Sequence, residues 1–281
     1  MLSLLHISDL HFGPPYLSDV GEALLQIAPQ LSVDVIVASG DFTQRAKPEQ
    51  FEQARDFLNR LPALPLIKVP GNHDIPLYRL KERIFTPYEL YQQYIHPELD
   101  WVLRHDRAVF VALNTTAPLQ KVTEGMIRPW QLDFCADAFR DAPADVLKIV
   151  VAHHHFAPAP DYESDVVVHR WRDALDRFTS LGVDMILGGH LHRAYVGNSL
   201  DLYPSNDRTS GIVIVQSGTT TSRRGRARER EKNSFNLIRI GDDAVRITHY
   251  MFFHDAGGFV PVSRHIFPRR SRQWFEDHTS P

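Results

Sequence analysis

Five short clusters of aspartate, asparagine and histidine stand along the chain, each at the end of an apolar run. They are Asp9-Leu10-His11, Gly40-Asp41, Gly71-Asn72-His73-Asp74, His153-His154-His155 and Gly189-His190-Leu191-His192. Carboxylate, carboxamide and imidazole groups side by side can bind a metal ion and move a proton. A lone D-x-H triplet carries little information, and Gly-Asp is a common turn pair. Gly-Asn-His-Asp and Gly-His-x-His are rarer. Seven of the 15 histidines fall in these clusters, and their joint occurrence at successive strand ends points to one shared site.

The donor types suit borderline divalent metals such as manganese, iron or zinc rather than calcium or magnesium alone. Seven candidate ligands are too many for one tetrahedral ion. They suit two divalent ions roughly 3.5–4 Å apart, bridged by one carboxylate and a hydroxide. Such a pair acidifies the bridging water and clamps phosphate oxygens for in-line displacement. The expected reaction is phosphoester hydrolysis without a covalent enzyme intermediate.

The elements that must hold these groups follow from periodicity. Leu2 to Ser8, Val33 to Ala38 and Leu66 to Val69 are apolar runs that read as buried strands. Helices are expected over Asp19 to Pro29 and over Pro48 to Leu61, where Phe51, Ala54, Leu58 and Leu61 share a face. Alternation of strand and helix means a parallel sheet, and ligands gather beyond the carboxyl ends of its strands. Further on, strands are expected over Ala108–Asn114, Val146–Ala152 and Met185–Leu187, with helices over Pro129–Phe139 and Trp171–Leu181. Ile212–Ser217, Phe235–Ile240 and Val245–Phe253 read as three consecutive antiparallel strands. The chain reads as one domain, 1–281, with a helical insert about 76–105 and a C-terminal extension about 254–281. The insert, rich in tyrosine from Tyr78 to Tyr94, either packs on the body or caps the site with its aromatics.

Composition narrows the class. The chain has 281 residues, 43% of them hydrophobic and 23% charged, as in ordinary globular proteins with a sizeable core. A net charge of −3 leaves any polyanion site to a local patch, and no specific nucleic-acid binding is expected. The single cysteine, Cys135, excludes internal disulfides and cysteine-rich zinc sites and reads as a buried, inert thiol. No apolar run reaches the roughly 18 residues of a membrane span. The N-terminus lacks the basic flank of a signal peptide, so the expected location is cytoplasmic.

With these motifs in order, the sequence resembles the calcineurin-like metallophosphoesterases from Asp9 to His192, and in particular their compact class III cyclic-nucleotide phosphodiesterase-type members. The resemblance implies an α/β fold: a four-layer α/β/β/α sandwich of two mixed sheets flanked by helices, with the later strands forming the second sheet. It implies that Asp9, His11 and His192 hold one metal, that Asn72, His153 and His190 hold the other, and that Asp41 bridges them. Of the three adjacent histidines it selects His153, the first after the strand; His154 then faces away or supports substrate. His73 would sit off the metals and protonate or steer the leaving oxygen. The implied activity is hydrolysis of a small phosphodiester such as a cyclic nucleotide. Relatives also include pyrophosphate hydrolases acting on nucleotide-linked lipids or sugars, and a non-enzymatic scaffold with a damaged site.

Departures from the family pattern matter too. Many relatives carry an acidic residue or asparagine three positions after the bridging aspartate to orient the catalytic histidine. Here that position is Gln44, whose amide is expected to accept the imidazole N–H. Arg45 falls where phosphoprotein phosphatases keep a phosphate-binding arginine. The loop after Asp41 has no tyrosine, which disfavours purple acid phosphatases, and Asp74 stands where protein serine/threonine phosphatases have glutamate. In the hydroxyl- and arginine-rich stretch 217–234, Arg223 and Arg226 are candidate contacts for an anionic small-molecule phosphoester. The basic aromatic tail 269–275 is a candidate for peripheral membrane contact.

Overall fold

The computed structural model describes residues 1–121, 123–157, 167–202, 211–226, 230 and 232–269. Two six-stranded sheets face one another, and helices cover both outer faces. The first sheet starts with three parallel strands, β1 (Leu2–Ile7), β2 (Val35–Ala38) and β3 (Leu66–Lys68), in the spatial order 1-2-3. Two helices connect them: α1 (Ser18–Ile27) and α2 (Pro48–Arg60). The insert follows, with two short helices, α3 (Leu80–Phe85) and α4 (Glu89–Tyr94).

The second sheet is built from the middle of the chain. It contains β4 (Trp101–His105), β5 (Ala108–Leu113), β6 (Leu147–Ala152), β7 (Met185–Gly188), β8 (Tyr195–Asn198) and β9 (Val213–Gln216), in the order 4-5-6-7-9-8. Strands β5, β6, β7 and β9 run parallel, and β4 and β8 close the two edges antiparallel. Helices α5 (Pro129–Phe139) and α6 (Trp171–Ser180) lie on its outer face, and a single turn, α7 (Ser199–Leu202), follows β8. The chain then returns to the first sheet, where β10 (Ser234–Ile240) pairs antiparallel with β1, followed by β11 (Ala244–Phe253) and β12 (Gly258–Pro268).

This corrects three expectations. The strands near 213–216 and 234–240 are not neighbours: the first belongs to the second sheet and the other to the first sheet. The later strands do not form a second sheet of their own. The end of the insert is an edge strand, β4, rather than helix. Of the tail 269–275, only Arg269 lies within the described residues, where it donates to the Gly241 carbonyl at 3.2 Å.

Period-two alternation explains why the strand sequences are nearly all apolar. Leu2, Leu4, Val35 and Val37 face the second sheet and meet Phe110, Ile149, Val151 and Met185 in the central core. Leu5, Ile7, Ile36 and Ala38 face the other way, onto Leu24, Phe51 and Phe57 of α1 and α2. Val109, Val111 and Leu113 turn outward onto Cys135, Phe139, Leu175 and Phe178. Cys135 is buried there, and burial pushes its thiol up to about 12. Tyr91 and Ile95 enter the core beside Phe42, so the insert around α4 packs on the body. By contrast Tyr78, Leu80, Ile84 and Phe85 around α3 are exposed. No helix among the described residues is long and apolar enough to cross a membrane.

Candidate metal centre

All five clusters leave the carboxyl ends of their strands on the same side of the two sheets, and the loops are laced together by main-chain hydrogen bonds. Asp9 N–H donates to the Gly40 carbonyl at 3.0 Å and His11 N–H to the Asp41 carbonyl at 2.9 Å. Within the second sheet Gly189 N–H donates to the His153 carbonyl, and across the seam His190 N–H donates to Asp9 Oδ2 at 3.0 Å. Asp9, His11, Asp41, His190 and His192 all have positive φ, between 51° and 73°. Non-glycine residues rarely adopt this region, and such strain persists only where the surroundings enforce it. It turns five functional side chains inward from three tight loops.

The converging atoms form two groups. In the first, His192 Nε2 lies 3.1 Å from Asp9 Oδ1 and 3.0 Å from His11 Nε2. In the second, Asn72 Oδ1 lies 3.2 Å from His153 Nε2 and 2.9 Å from His190 Nδ1. Asp41 Oδ2 stands between them, 3.6 Å from His11 Nε2 and 3.5 Å from His153 Nε2. Ligand atoms about 2.1 Å from a common ion lie roughly 3.0–3.4 Å apart at tetrahedral or octahedral angles. The contacts of His192 and Asn72, at 2.9–3.2 Å, lie close to that figure, and those from His11 and His153 to the carboxylates, at 3.5–3.7 Å, are slightly longer.

Several observations test whether a cation fits. Asp9 Oδ1 and Asp41 Oδ2 are buried without a hydrogen-bond partner, although an orphaned carboxylate oxygen is costly. Four residues, Asp9, His11, Asp41 and His192, bring one ligand atom each within 4.8 Å of one another. His153 donates its Nδ1–H to the Ser39 carbonyl at 2.7 Å and His192 its Nδ1–H to the Arg224 carbonyl at 2.9 Å. These bonds aim the Nε2 lone pairs of both rings at the centre.

The charges agree. Burial alone would raise both carboxyls; His192, His11 and His153 hold Asp9 well below the usual range, and His153, His73 and His11 do the same for Asp41. Burial lowers His153, but the Asp41 carboxylate outweighs it and lifts the ring to about 9. Burial pulls His11 down to about 4 and His190 well below its usual value. Positive charge is favoured on His153, and His11 and His190 are held as neutral rings. That is the donor set of a divalent cation site.

The tetrapeptide 71–74 forms one 3-10 turn. Asp74 is buried and accepts N–H groups from Gly71 at 2.9 Å, Thr43 at 2.9 Å and Phe42 at 3.2 Å. It pins the loop after β2 to the loop after β3. Burial and the nearby Asp41 push its carboxyl up to about 7, against those three donors. A Cβ at Gly71 would run into the Asp41 backbone and carboxylate, so this close approach needs glycine.

His73 N–H donates to Asp41 Oδ1 at 2.7 Å, and its ring stands edge-on to His11 with centroids 4.9 Å apart. The group that orients its imidazole differs from expectation. His73 Nδ1–H donates to the main-chain carbonyl of Gln44 at 2.9 Å, not to its amide. The Gln44 side chain instead accepts from Arg224 at 3.0 Å. Burial lowers the His73 ring, Asp41 raises it and Arg224 lowers it.

Around this centre the other candidates scatter. His154 is buried, with Nδ1 2.9 Å from Thr115 Oγ1 and its ring 4.6 Å from that of His190. Arg45 is exposed, its guanidinium 5.0 Å from the Tyr78 ring centroid. Arg223 and Arg226 are exposed as well, and their main-chain N–H groups tie the loop to Pro15 and His192. Between them Arg224 turns inward, half-buried, and sequence reasoning missed it. Its inward direction depends on Gln44, 180 positions away in the chain.

A family model described as calcineurin-like phosphoesterase matches residues 2–194. Among curated proteins, the chain is 36% identical over 81 residues to the glycerophosphodiester phosphodiesterase GpdQ of Enterobacter lignolyticus (strain SCF1), over 25% of this chain and 29% of that protein. It is 35% identical over 89 residues to the DNA double-strand break repair protein Mre11 of Saccharolobus solfataricus (strain ATCC 35092), over 27% of this chain and 23% of that protein. These matches span less than a third of either relative. Among solved structures, the purple acid phosphatase PPD1 of yellow lupin (Lupinus luteus) superposes with a TM-score of 0.66 at 11% identity, covering 95% of this chain and 54% of that one. A dimetal phosphatase of Danio rerio gives 0.62 at 12% identity, covering 95% and 98%. At such identities the likeness is one of fold.

Proposed function

The chain belongs to the calcineurin-like phosphoesterase family, and from that premise we propose that it is a dinuclear-metal hydrolase of small phosphodiesters, with cyclic nucleotides the first class to try. The observation that carries the reading is Asp41 Oδ2, buried, unpartnered and about equally far from His11 and His153. In this reading Asp9, His11 and His192 would hold one ion, Asn72, His153 and His190 would hold the other, and Asp41 would serve both; manganese, iron and zinc all accept these donors. Such ions supply an acidified water and charge neutralisation at the phosphate.

The chain's own residues do the rest. Because its Nδ1–H is committed to the Gln44 carbonyl, His73 keeps Nε2 to hold a proton and deliver it to the leaving oxygen. Burial of the ligand side chains excludes bulk water from the centre. A diester is favoured because GpdQ is by name a phosphodiesterase. We read residues 1–281 as a single such domain, acting in the cytoplasm.

A second reading, hydrolysis of a pyrophosphate in a nucleotide-linked lipid or sugar, draws on the exposed Tyr78, Leu80, Ile84 and Phe85 beside Arg45. A panel of cyclic AMP, bis(p-nitrophenyl) phosphate, p-nitrophenyl phosphate and a nucleotide-linked pyrophosphate, run with each metal, separates the two. Diester turnover is expected, and His73→Ala should lower kcat about 10²–10⁴-fold with metal content unchanged. Cleavage of the monoester with neither diester would sink the first reading; pyrophosphate turnover alone would establish the second. No bound metal and no turnover with added manganese would leave a non-enzymatic scaffold.

A further inference from the structure

Gln44 does two jobs with two different atoms. Its main-chain carbonyl holds His73 at 2.9 Å, and its side-chain carbonyl holds the Arg224 guanidinium at 3.0 Å. The loop that carries Arg224 is anchored on three sides. The Arg224 carbonyl accepts from His192, Arg226 N–H donates to the His192 carbonyl, and Arg223 N–H donates to the Pro15 carbonyl. Main chain and side chain together therefore hold this guanidinium within electrostatic reach of His73, Asp41 and Asp9.

Among the described residues, no carboxylate lies within ion-pair distance of Arg224. The charges that act on it are Asp41 and Asp9 of the centre, with Arg226 and Arg45 opposing them from the rim. A half-buried cation that donates one hydrogen bond to a neutral group and has no carboxylate in contact is poorly compensated by the protein alone. A guanidinium has five N–H groups in a fixed fork that matches a phosphate edge. One of its five is used by Gln44.

We infer that Arg224 binds a non-bridging oxygen of the substrate phosphate and that Gln44 is the positioning residue that aims it. The assignment rests on the reading of the site as a phosphoester hydrolase. It explains why a glutamine stands three residues after Asp41: its length lets the amide pass His73 and reach Arg224. A glutamate there would form a fixed ion pair and neutralise the fork.

The test is equilibrium binding of inorganic phosphate to the manganese-loaded full chain, measured by calorimetry beside metal content and kcat and KM. Arg224→Ala should weaken phosphate binding about tenfold or more, and Arg224→Lys should recover part of the loss. Gln44→Ala and Gln44→Glu should weaken it several-fold. The double variant Gln44→Ala with Arg224→Ala should bind no worse than Arg224→Ala alone, since both act through one group. In turnover the losses should fall on KM more than on kcat. Phosphate affinity within twofold of the parent for Arg224→Ala at equal metal content would overturn the inference. Should Arg224→Ala lose metal, an unchanged affinity in metal-loaded Gln44→Ala does the same. Because phosphate binding is read without turnover, an inactive protein whose Arg224 still governs phosphate affinity would refute the hydrolase reading alone.

Discussion

The two sheets put different chemistry into one site. The first sheet delivers both carboxylates, His11, the carboxamide Asn72 and His73, the proposed proton donor, on loops hydrogen-bonded to each other through Asp74, Asp41 and Gly40. The second delivers imidazoles, His153, His190 and His192, and the aim of one of them depends on the opposite sheet: His153 is held by the Ser39 carbonyl at the end of β2. Both carboxylates thus come from the first half, together with Asn72 and His11, and the second half supplies imidazoles alone. Each half alone is a set of unsatisfied groups.

If that division is right, the largest effect should come from the residue both groups share. Asp41→Asn keeps the shape but removes the charge beside His11 and His153. It should cost both metal equivalents and about 10⁴-fold in kcat/KM, read by elemental analysis and initial rates. Loss of only one equivalent would mean the two groups do not share Asp41.

Next comes the brace of the first half. Both Asp74 oxygens accept N–H groups, so Asp74→Asn must turn an amide NH₂ toward donors. It should lower stability by about 1–3 kcal/mol, measured by urea denaturation of the metal-loaded protein. A change near zero would show that the two loops hold together without it.

A subtler effect concerns the docking of the halves in chelator-treated protein. The Asp41–His153 pair lifts His153 from 6.5 to about 9. A raised histidine contributes stability that is fully present below its unfolded value, and this is lost as pH rises through the folded one. Stability should therefore fall between about 6.5 and 9, and His153→Ala should flatten that slope. A parent protein whose stability is flat or rising across the window would contradict the pairing. The smallest effect belongs to the rim. Arg223→Ala alters an exposed side chain whose anchoring N–H remains, and it should leave kcat/KM within about twofold.

Much of this was legible because the core strands are buried on both faces. β2 is a continuous apolar run and β1 and β6 are nearly so, and their ends carry motifs, so the side on which the site lies could be read from the sequence. Three of the four edge strands, β4, β8 and β12, were not legible. β12 runs through Val260, Val262 and Ile266 with mostly exposed side chains and two prolines, and β8 is only Tyr195–Asn198 with a glycine inside. Sheet membership escaped as well, since β9 and β10 are similar apolar segments and only their distant partners tell them apart. Arg224 was hidden for a different reason. In a stretch with arginines at 223, 224 and 226, direction is decided by the bend and by Gln44, 180 positions away. Local spacing carries no trace of either.

The seam between the sheets has a mechanical consequence. His11 and His192 meet across it, 181 positions apart in the chain. An ion gripped by both closes nearly two thirds of the polypeptide into a single loop, as a covalent cross-link would. For a cross-link of that span the loop-entropy estimate is about 5 kcal/mol, drawn from the unfolded chain. Metal loading should therefore slow global opening, with sites far from the centre protected along with those near it. For this fold a chelator plays the part that a reducing agent plays for a disulfide-bonded one.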